Sequence, residues 1–175
     1  MSLSTDREIA MTRSPRVPAE LIQSIFVAEL IRPSRRLWLA SPWISDVDLI
    51  DNRARQFASL CPDWPAAWIG LTRVLEALLV RGSRVTIITN DDAHNRHVRE
   101  RVQALGRVYE GQTRTIVDEN LHEKGIVGDW FSLSGSMNLT YHGIFVNQEH
   151  LVYTCDESRV SERRIGFELR WGTDA

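Results

Sequence analysis

The stretch from Leu121 to Tyr153, LHEKGIVGDWFSLSGSMNLTYHGIFVNQEHLVY, decides how this chain is read. His122 and Lys124 flank Glu123, and four residues intervene before Asp129. Gly135-Ser136-Met137-Asn138 follows, and Glu149 lies eleven positions beyond Asn138. On a strand, side chains alternate with a period of two, so His122 and Lys124 point to one face. Gly128-Asp129 is a hairpin signal. A loop of about three residues at 128–130 would pair Val127 with Phe131 and His122 with Ser136. His122, Lys124, Ser134 and Ser136 then share one face, and Val127, Phe131 and Leu133 the other. A slip of one residue would scatter the polar set, so the polar grouping favours this register.

Such a cluster suits a phosphodiester. A neutral imidazole can attack phosphorus and become a phosphohistidine. A lysine with neighbouring amide and hydroxyl donors, here Lys124, Ser136 and Asn138, can bind the non-bridging oxygens as charge builds. A carboxylate such as Glu149 can hold the imidazole of His122 in one tautomer. The reaction also needs a second group to protonate the leaving oxygen and then activate water. No other His-x-Lys occurs in the chain.

His-x-Lys, four residues, Asp, then Gly-Ser-x-Asn and a Glu about eleven residues later is similar to the signature of the phospholipase D superfamily. One departure is visible: five residues separate Asp129 from Gly135, where about six are expected, which points to a slightly shorter hairpin. The resemblance implies an α/β fold, a phospholipase D-like mixed β-sheet flanked by helices on both faces. It implies catalytic roles for His122, Lys124, Ser136, Asn138 and Glu149, with Asp129 mostly orienting or structural. Larger members carry two motifs in one chain. A chain with one motif is therefore expected to act as a homodimer, whose twofold axis brings two copies of the motif together. Small one-motif members are commonly nucleases, and some belong to modified-DNA restriction systems. Nucleic acid, most simply DNA, and further subunits of a restriction system are the partners this implies.

Outward from the motif, Leu21, Ile22, Ile25, Phe26 and Leu30 recur at helical spacing between Pro18 and Pro33. Leu37–Ala40 reads as a short buried strand broken by Ser41-Pro42. Asp48 to Leu60 reads as a helix, with Leu49, Ile50, Phe57 and Leu60 on one side, before a loop at Pro62-Asp63-Trp64-Pro65. Leu71, Val74, Leu75, Leu78 and Leu79 form the clearest amphipathic helix, closed by Gly82. Val85–Thr89 is a buried strand, and Asp92 can cap a helix carrying Val98, Val102 and Leu105 inward. Strands are expected at 107–109, 113–117, 122–127, 131–135 and 148–154, and a last helix over 157–169. Residues 1–16 read as a flexible polar start and 17–175 as one domain.

Composition bounds the function. With a net charge of −2, bulk charge does not draw in a polyanion, so any such substrate needs a local cationic site. Cys61 and Cys155 match no metal spacing. His94 and His97 are three apart on a helix but lack a third ligand, so neither a metal nor a cofactor is expected. No run approaches the length of a membrane span and the start lacks an apolar signal region, which gives a cytoplasmic expectation with no membrane partner. Trp43, Trp64 and Trp68 are candidates for stacking on substrate, Trp43 foremost. Arg159, Arg163, Arg164 and Arg170 alternate with Glu157, Glu162 and Glu168, which reads as a salt-bridged surface rather than a basic face. A metal-independent nuclease leads. A lipid phosphodiesterase or transphosphatidylase would want an apolar entry surface, and the helix at 18–31 is apolar on one side only. A non-catalytic nucleic-acid-binding subunit is kept in play by the neutral charge and the acidic loop 45–63, against the intact motif.

Overall fold

The computed structural model describes residues 7–9 and 16–172. The described elements run β1 (Arg7–Ile9), α1 (Arg16–Ile31), β2 (Arg36–Ala40), β3 (Asp48–Asp51), β4 (Trp68–Gly70), α2 (Leu71–Val80), β5 (Arg84–Thr89), α3 (Arg96–Val108), β6 (Thr113–Val117), β7 (Gly125–Val127), β8 (Ser132–Gly135), α4 (Tyr141–Phe145), β9 (Leu151–Thr154) and α5 (Glu157–Trp171). Seven strands form a mixed sheet in the order β1-β9-β8-β7-β2-β5-β6. From β1 to β2 the pairing is antiparallel, and β2, β5 and β6 are parallel.

The period of two on β2 explains the layers. Leu37 and Leu39 turn to a large core shared with Ile22, Phe26 and Leu30 of α1, Val74, Leu75 and Leu78 of α2, and Val98 and Val102 of α3. Trp38 and Ala40 turn to the opposite face, where Phe167 and Trp171 of α5 close a smaller core with Ile88 and Val127. Helices thus cover both faces, as expected of a sheet buried on two sides. Buttressing α2, Asp46 accepts from the Thr72 amide at 2.8 Å and the Thr72 hydroxyl at 2.7 Å.

Several local expectations are corrected. Asp48–Leu60 is not a helix. Residues 48–51 form β3, which pairs with β4 across a register shift, so consecutive Leu49 and Ile50 are both buried. Beyond it Asn52 folds the chain back, accepting from the Phe57 amide at 3.1 Å and donating to Pro65 O at 2.8 Å. Arg55 takes the left-handed conformation, with φ 56°. Residues 107 and 108 end α3 rather than begin a strand, because the helical stripe of Val98, Val102 and Leu105 carries through to them. Asp92 caps the short 3-10 turn Ala93–Asn95 that leads into α3. The strand expected at 122–127 pairs only from Gly125, whose neighbour on β2 is Ala40, the last residue of that strand. Ser41-Pro42 ends β2, and with it the partner for residues 122–124. The start of the chain was expected to be free, yet Arg7–Ile9 pairs with Leu151–Tyr153; residues 1–6 and 10–15 of that expectation lie outside the described residues. Among the described residues no helix is long and apolar enough to cross a membrane.

Candidate active site

The sheet brings one set of strand ends together. The carboxyl ends of β2 and β5, the amino end of β7, the carboxyl end of β8 and the amino end of β9 lie at one edge, as the pairs Ala40↔Ile88, Ala40↔Gly125, Gly125↔Ser134 and Gly135↔Leu151 require. His122, Lys124, Ser136, Asn138 and Glu149 all stand there. The observed register is one residue off the expected one, with Val127 opposite Ser132 across a four-residue turn. Ser134 therefore leaves the polar face and looks toward α5, and Val127 packs with Trp38 while Ile126, Phe131 and Leu133 enter the larger core. His122 and Lys124 precede β7, so their placement does not depend on the register of that strand.

His122 is exposed, and its backbone oxygen accepts from Lys124 Nζ at 3.1 Å. Lys124 O accepts from the Gly135 amide at 3.3 Å, which ties β7 to the Gly-Ser-x-Asn turn. Gly135 has φ +152°, and a Cβ there would lie 1.9 Å from His150 O, so only glycine fits. The Ser136 amide donates to that same oxygen at 3.0 Å. Ser136 Oγ donates to Glu149 and accepts from the His150 amide at 3.0 Å. Glu149 is 7% exposed and also accepts from Asn147 Nδ2 at 3.2 Å. Among the described residues its hydrogen-bond donors are Ser136 and Asn147, and the His122 ring expected there is not one of them. Asn138 is reached through Ser41, whose hydroxyl lies 3.4 Å from Asn138 Oδ1, donates to Trp43 O at 2.6 Å and accepts from the Leu139 amide at 3.0 Å.

Asp129 stands apart from the other five. It lies at the opposite end of the β7–β8 hairpin, five residues from Lys124 and on the order of 15 Å along the strand. There it accepts from the Arg35 amide at 2.8 Å and faces Arg164 Nη1 at 3.5 Å. The Ser34 hydroxyl accepts from the Asp129 amide at 2.8 Å and donates to Glu29 at 2.7 Å. Burial pushes the Glu29 carboxyl above its ordinary value, and the nearby Asp129 charge adds to this, against the lowering effect of the Ser34 and Trp130 hydrogen bonds.

Trp43 is 42% exposed and its indole N–H donates to Asp92 Oδ2 at 3.1 Å. The His94 amide and Trp43 indole together hold the Asp92 carboxyl below the usual range. Trp64 is in the core, and Trp68 lies under Arg53 at 5.3 Å. His94 meets Ser45 Oγ at 2.8 Å and His97 is exposed on α3. Among the described residues no three His, Cys, Asp or Glu side chains gather as metal ligands.

Sequence reasoning missed three positioning elements. Asn95, fully buried, donates to Pro42 O at 2.8 Å and to Asn90 while accepting from the Ile44 amide at 2.8 Å, which pins the loop after β2. Ser41 looked like a strand breaker, yet it links Trp43 to Asn138. Glu123, between His122 and Lys124, is held by Arg163 of α5 at 2.6 Å. The arginines of α5 are indeed salt-bridged, but their partners include Glu123, Asp129 and Asp118 from distant parts of the chain, which helical spacing could not reveal.

A mixed sheet, antiparallel from β1 to β2 and parallel from β2 to β6, with His-x-Lys and Gly-Ser-x-Asn at one edge defines a phospholipase D-like domain. The chain belongs to that family: the family model of the cardiolipin synthase phospholipase D-like domain matches residues 68–171, well over half of its length. The wider group is a superfamily of phosphodiesterases. No curated protein matches the chain. Among solved structures it is similar to NucT from Helicobacter pylori, with 16% identity, TM-score 0.56, and coverage of 93% of this chain and 92% of that one. It is similar to Nuc from Salmonella typhimurium, a phospholipase D family member, with 14% identity, TM-score 0.59 and 86% of each chain covered. It also resembles TrmBL2, an archaeal chromatin protein with a novel mode of DNA binding, at 12% identity and TM-score 0.56, covering 98% of this chain and 54% of that one. At these identities the likeness is one of fold.

Proposed function

We propose that the chain is a metal-independent nuclease whose site is completed by a second copy. The observation that carries this reading is the gathering of exposed His122 with Lys124, Ser136 and Asn138 at one sheet edge. In the proposed reaction, neutral His122 attacks phosphorus and the bond to the leaving oxygen breaks, giving a phosphohistidine. The His122 of the second copy protonates the leaving oxygen, then takes a proton from the water that cleaves the phosphorus–nitrogen bond. Lys124 and the donors around Ser136 and Asn138 bind the non-bridging oxygens. Glu149 acts on this arrangement by fixing Ser136. Asp129 supports the hairpin at a distance.

The nuclease choice rests on the single motif and on the match over nearly the whole length of the small proteins NucT and Nuc. The DNA binding of TrmBL2 adds support for this fold as a nucleic-acid module. A DNA-restriction system is the setting this reading fits, and co-purification of further restriction subunits tests that part.

The main experiment incubates the purified chain in EDTA with labelled DNA, RNA and phospholipid, alongside sedimentation. Cleavage of nucleic acid by a dimer, lost in His122→Ala, is the expected result. Activity that vanishes with EDTA and returns with Mg²⁺, or a monomer that still cleaves, overturns the mechanism.

A further inference from the structure

Trp43 is an exposed ring with a fixed orientation. Ile44 and Leu139 form a parallel bridge, reinforced by the Ser45 amide donating to Leu139 O at 2.9 Å. Ile44 and Leu139 are buried at 0% and 3% exposure. Trp43 and Asn138 each lie one residue before this bridge, and Ser41 Oγ joins them, donating to the Trp43 backbone oxygen at 2.6 Å and reaching the Asn138 amide oxygen at 3.4 Å. One edge of the indole is tied to Asp92, which is itself fixed by capping the turn at Ala93–Asn95. Asn95 clamps the loop from behind through Pro42 and Ile44. An indole with its N–H satisfied and its body still in water presents an apolar surface with little rotational freedom left to lose on binding.

We propose that Trp43 is a stacking platform for an unpaired base next to the scissile phosphate, so that the preferred substrate is single-stranded nucleic acid. This rests on the nuclease reading above. Every base has a face that an aromatic ring can cover, whereas in a duplex that face is already covered by its neighbours. The charge balance agrees. The net charge is −2, and Arg163, Arg164 and Arg170 of α5 are spent on Glu123, Asp129 and Asp118. Phosphate neutralisation along a duplex finds little support there, while one lysine and one ring suffice to seat a phosphate with its adjoining base.

The test uses the full chain in EDTA with a labelled single-stranded 20-mer, its duplex, and an equal-length strand carrying tetrahydrofuran abasic sites. The abasic strand keeps the phosphates and loses the faces. The wild type should favour the single strand over the duplex about tenfold in kcat/KM and bind the abasic strand about tenfold more weakly. In Trp43→Ala the KM ratio between abasic and base-bearing strands should collapse toward one, and Trp43→Phe should restore most of it. A duplex cleaved as well as the single strand, or wild-type KM values equal with and without bases, overturns the proposal even if Trp43→Ala fails to fold. A Trp43-dependent release of choline from phosphatidylcholine vesicles, exceeding cleavage of any strand, also overturns it. If no strand is cleaved in a His122-dependent manner, the nuclease reading itself has failed, a result separate from equal cleavage of all strands.

Discussion

The two ends of the β7–β8 hairpin are built to opposite specifications. At the turn end, polar groups are answered. Asp129 meets Arg35 and Arg164, its amide meets Ser34, Ser34 meets Glu29, and Trp130 Nε1 donates to Arg32 O at 3.2 Å. Phe131 is fully buried, and a Cβ on Gly128 would press on Ser34 Oγ at 2.5 Å. These contacts fasten the hairpin to α1 and α5. At the open end the His122 ring is exposed and has no hydrogen bond to a described side chain, and the Ser136 residue is exposed although its hydroxyl is bound. Satisfied polar groups hold structure, whereas an exposed ring at an edge remains for a ligand. The same short hairpin thus separates stability from chemistry along its own length.

The largest effect that would sharpen this contrast is at the open end. His122→Ala should lower turnover at least 1,000-fold, on the scale of losing a nucleophile and its proton-transfer role, while stability moves by no more than about 1 kcal/mol. Cleavage assays beside urea unfolding check both halves, and a large loss of stability would break the contrast. Asp129→Ala should do the reverse. Losing its charged hydrogen bonds should cost about 2 kcal/mol of stability, with kcat at saturation changed less than about tenfold; a 1,000-fold loss in a folded protein would move Asp129 into the chemistry.

A smaller effect is expected where the two ends communicate through α5. Arg163→Ala releases Glu123 and should cost under about 1 kcal/mol, since the pair is about one-third exposed. It should lower kcat more than it raises KM, by loosening the segment that carries His122 and Lys124. The swap Glu123→Arg with Arg163→Glu should recover part of the kcat, and no recovery would assign Arg163 to another role.

The smallest effect is a pH slope at the turn end. The Glu29 carboxyl is raised by burial, so the folded state holds its proton more tightly than the unfolded chain does. The stability from this group is full below the unfolded value of 4.5 and is lost as pH rises through the folded value. Melting of the wild type against Glu29→Gln from pH 4 to 8 should therefore show the variant gaining relative stability with rising pH. A difference that stays flat would place the Glu29 carboxyl at its ordinary value.

The hairpin also shows where sequence reading stops. Gly128-Asp129 announced a turn, but the choice between a three- and a four-residue loop turned on the core. Phe131 enters the larger core beside Leu133 only in the longer loop, and that shift moved Ser134 to the face of α5. Leu49 and Ile50, adjacent and both buried, defeat either simple period because β3 carries an irregularity. The arginines of α5 read correctly as paired, yet their partners lie up to 52 residues away.

What the sequence determined by itself is what short spacing encodes. The alternation of β2 and β5, the stripe of α2, and the His-x-Lys and Gly-Ser-x-Asn groups were legible because periodicity and backbone demands such as that of Gly135 act between near neighbours. The tertiary structure alone decided that Asp129 meets Arg35 and Arg164, that Glu149 holds Ser136, and that Ser41 links Trp43 to Asn138. Those placements join residues distant in the chain or separated by a strand's length, and such pairings are fixed by which surfaces bury together, a quantity that no local window contains.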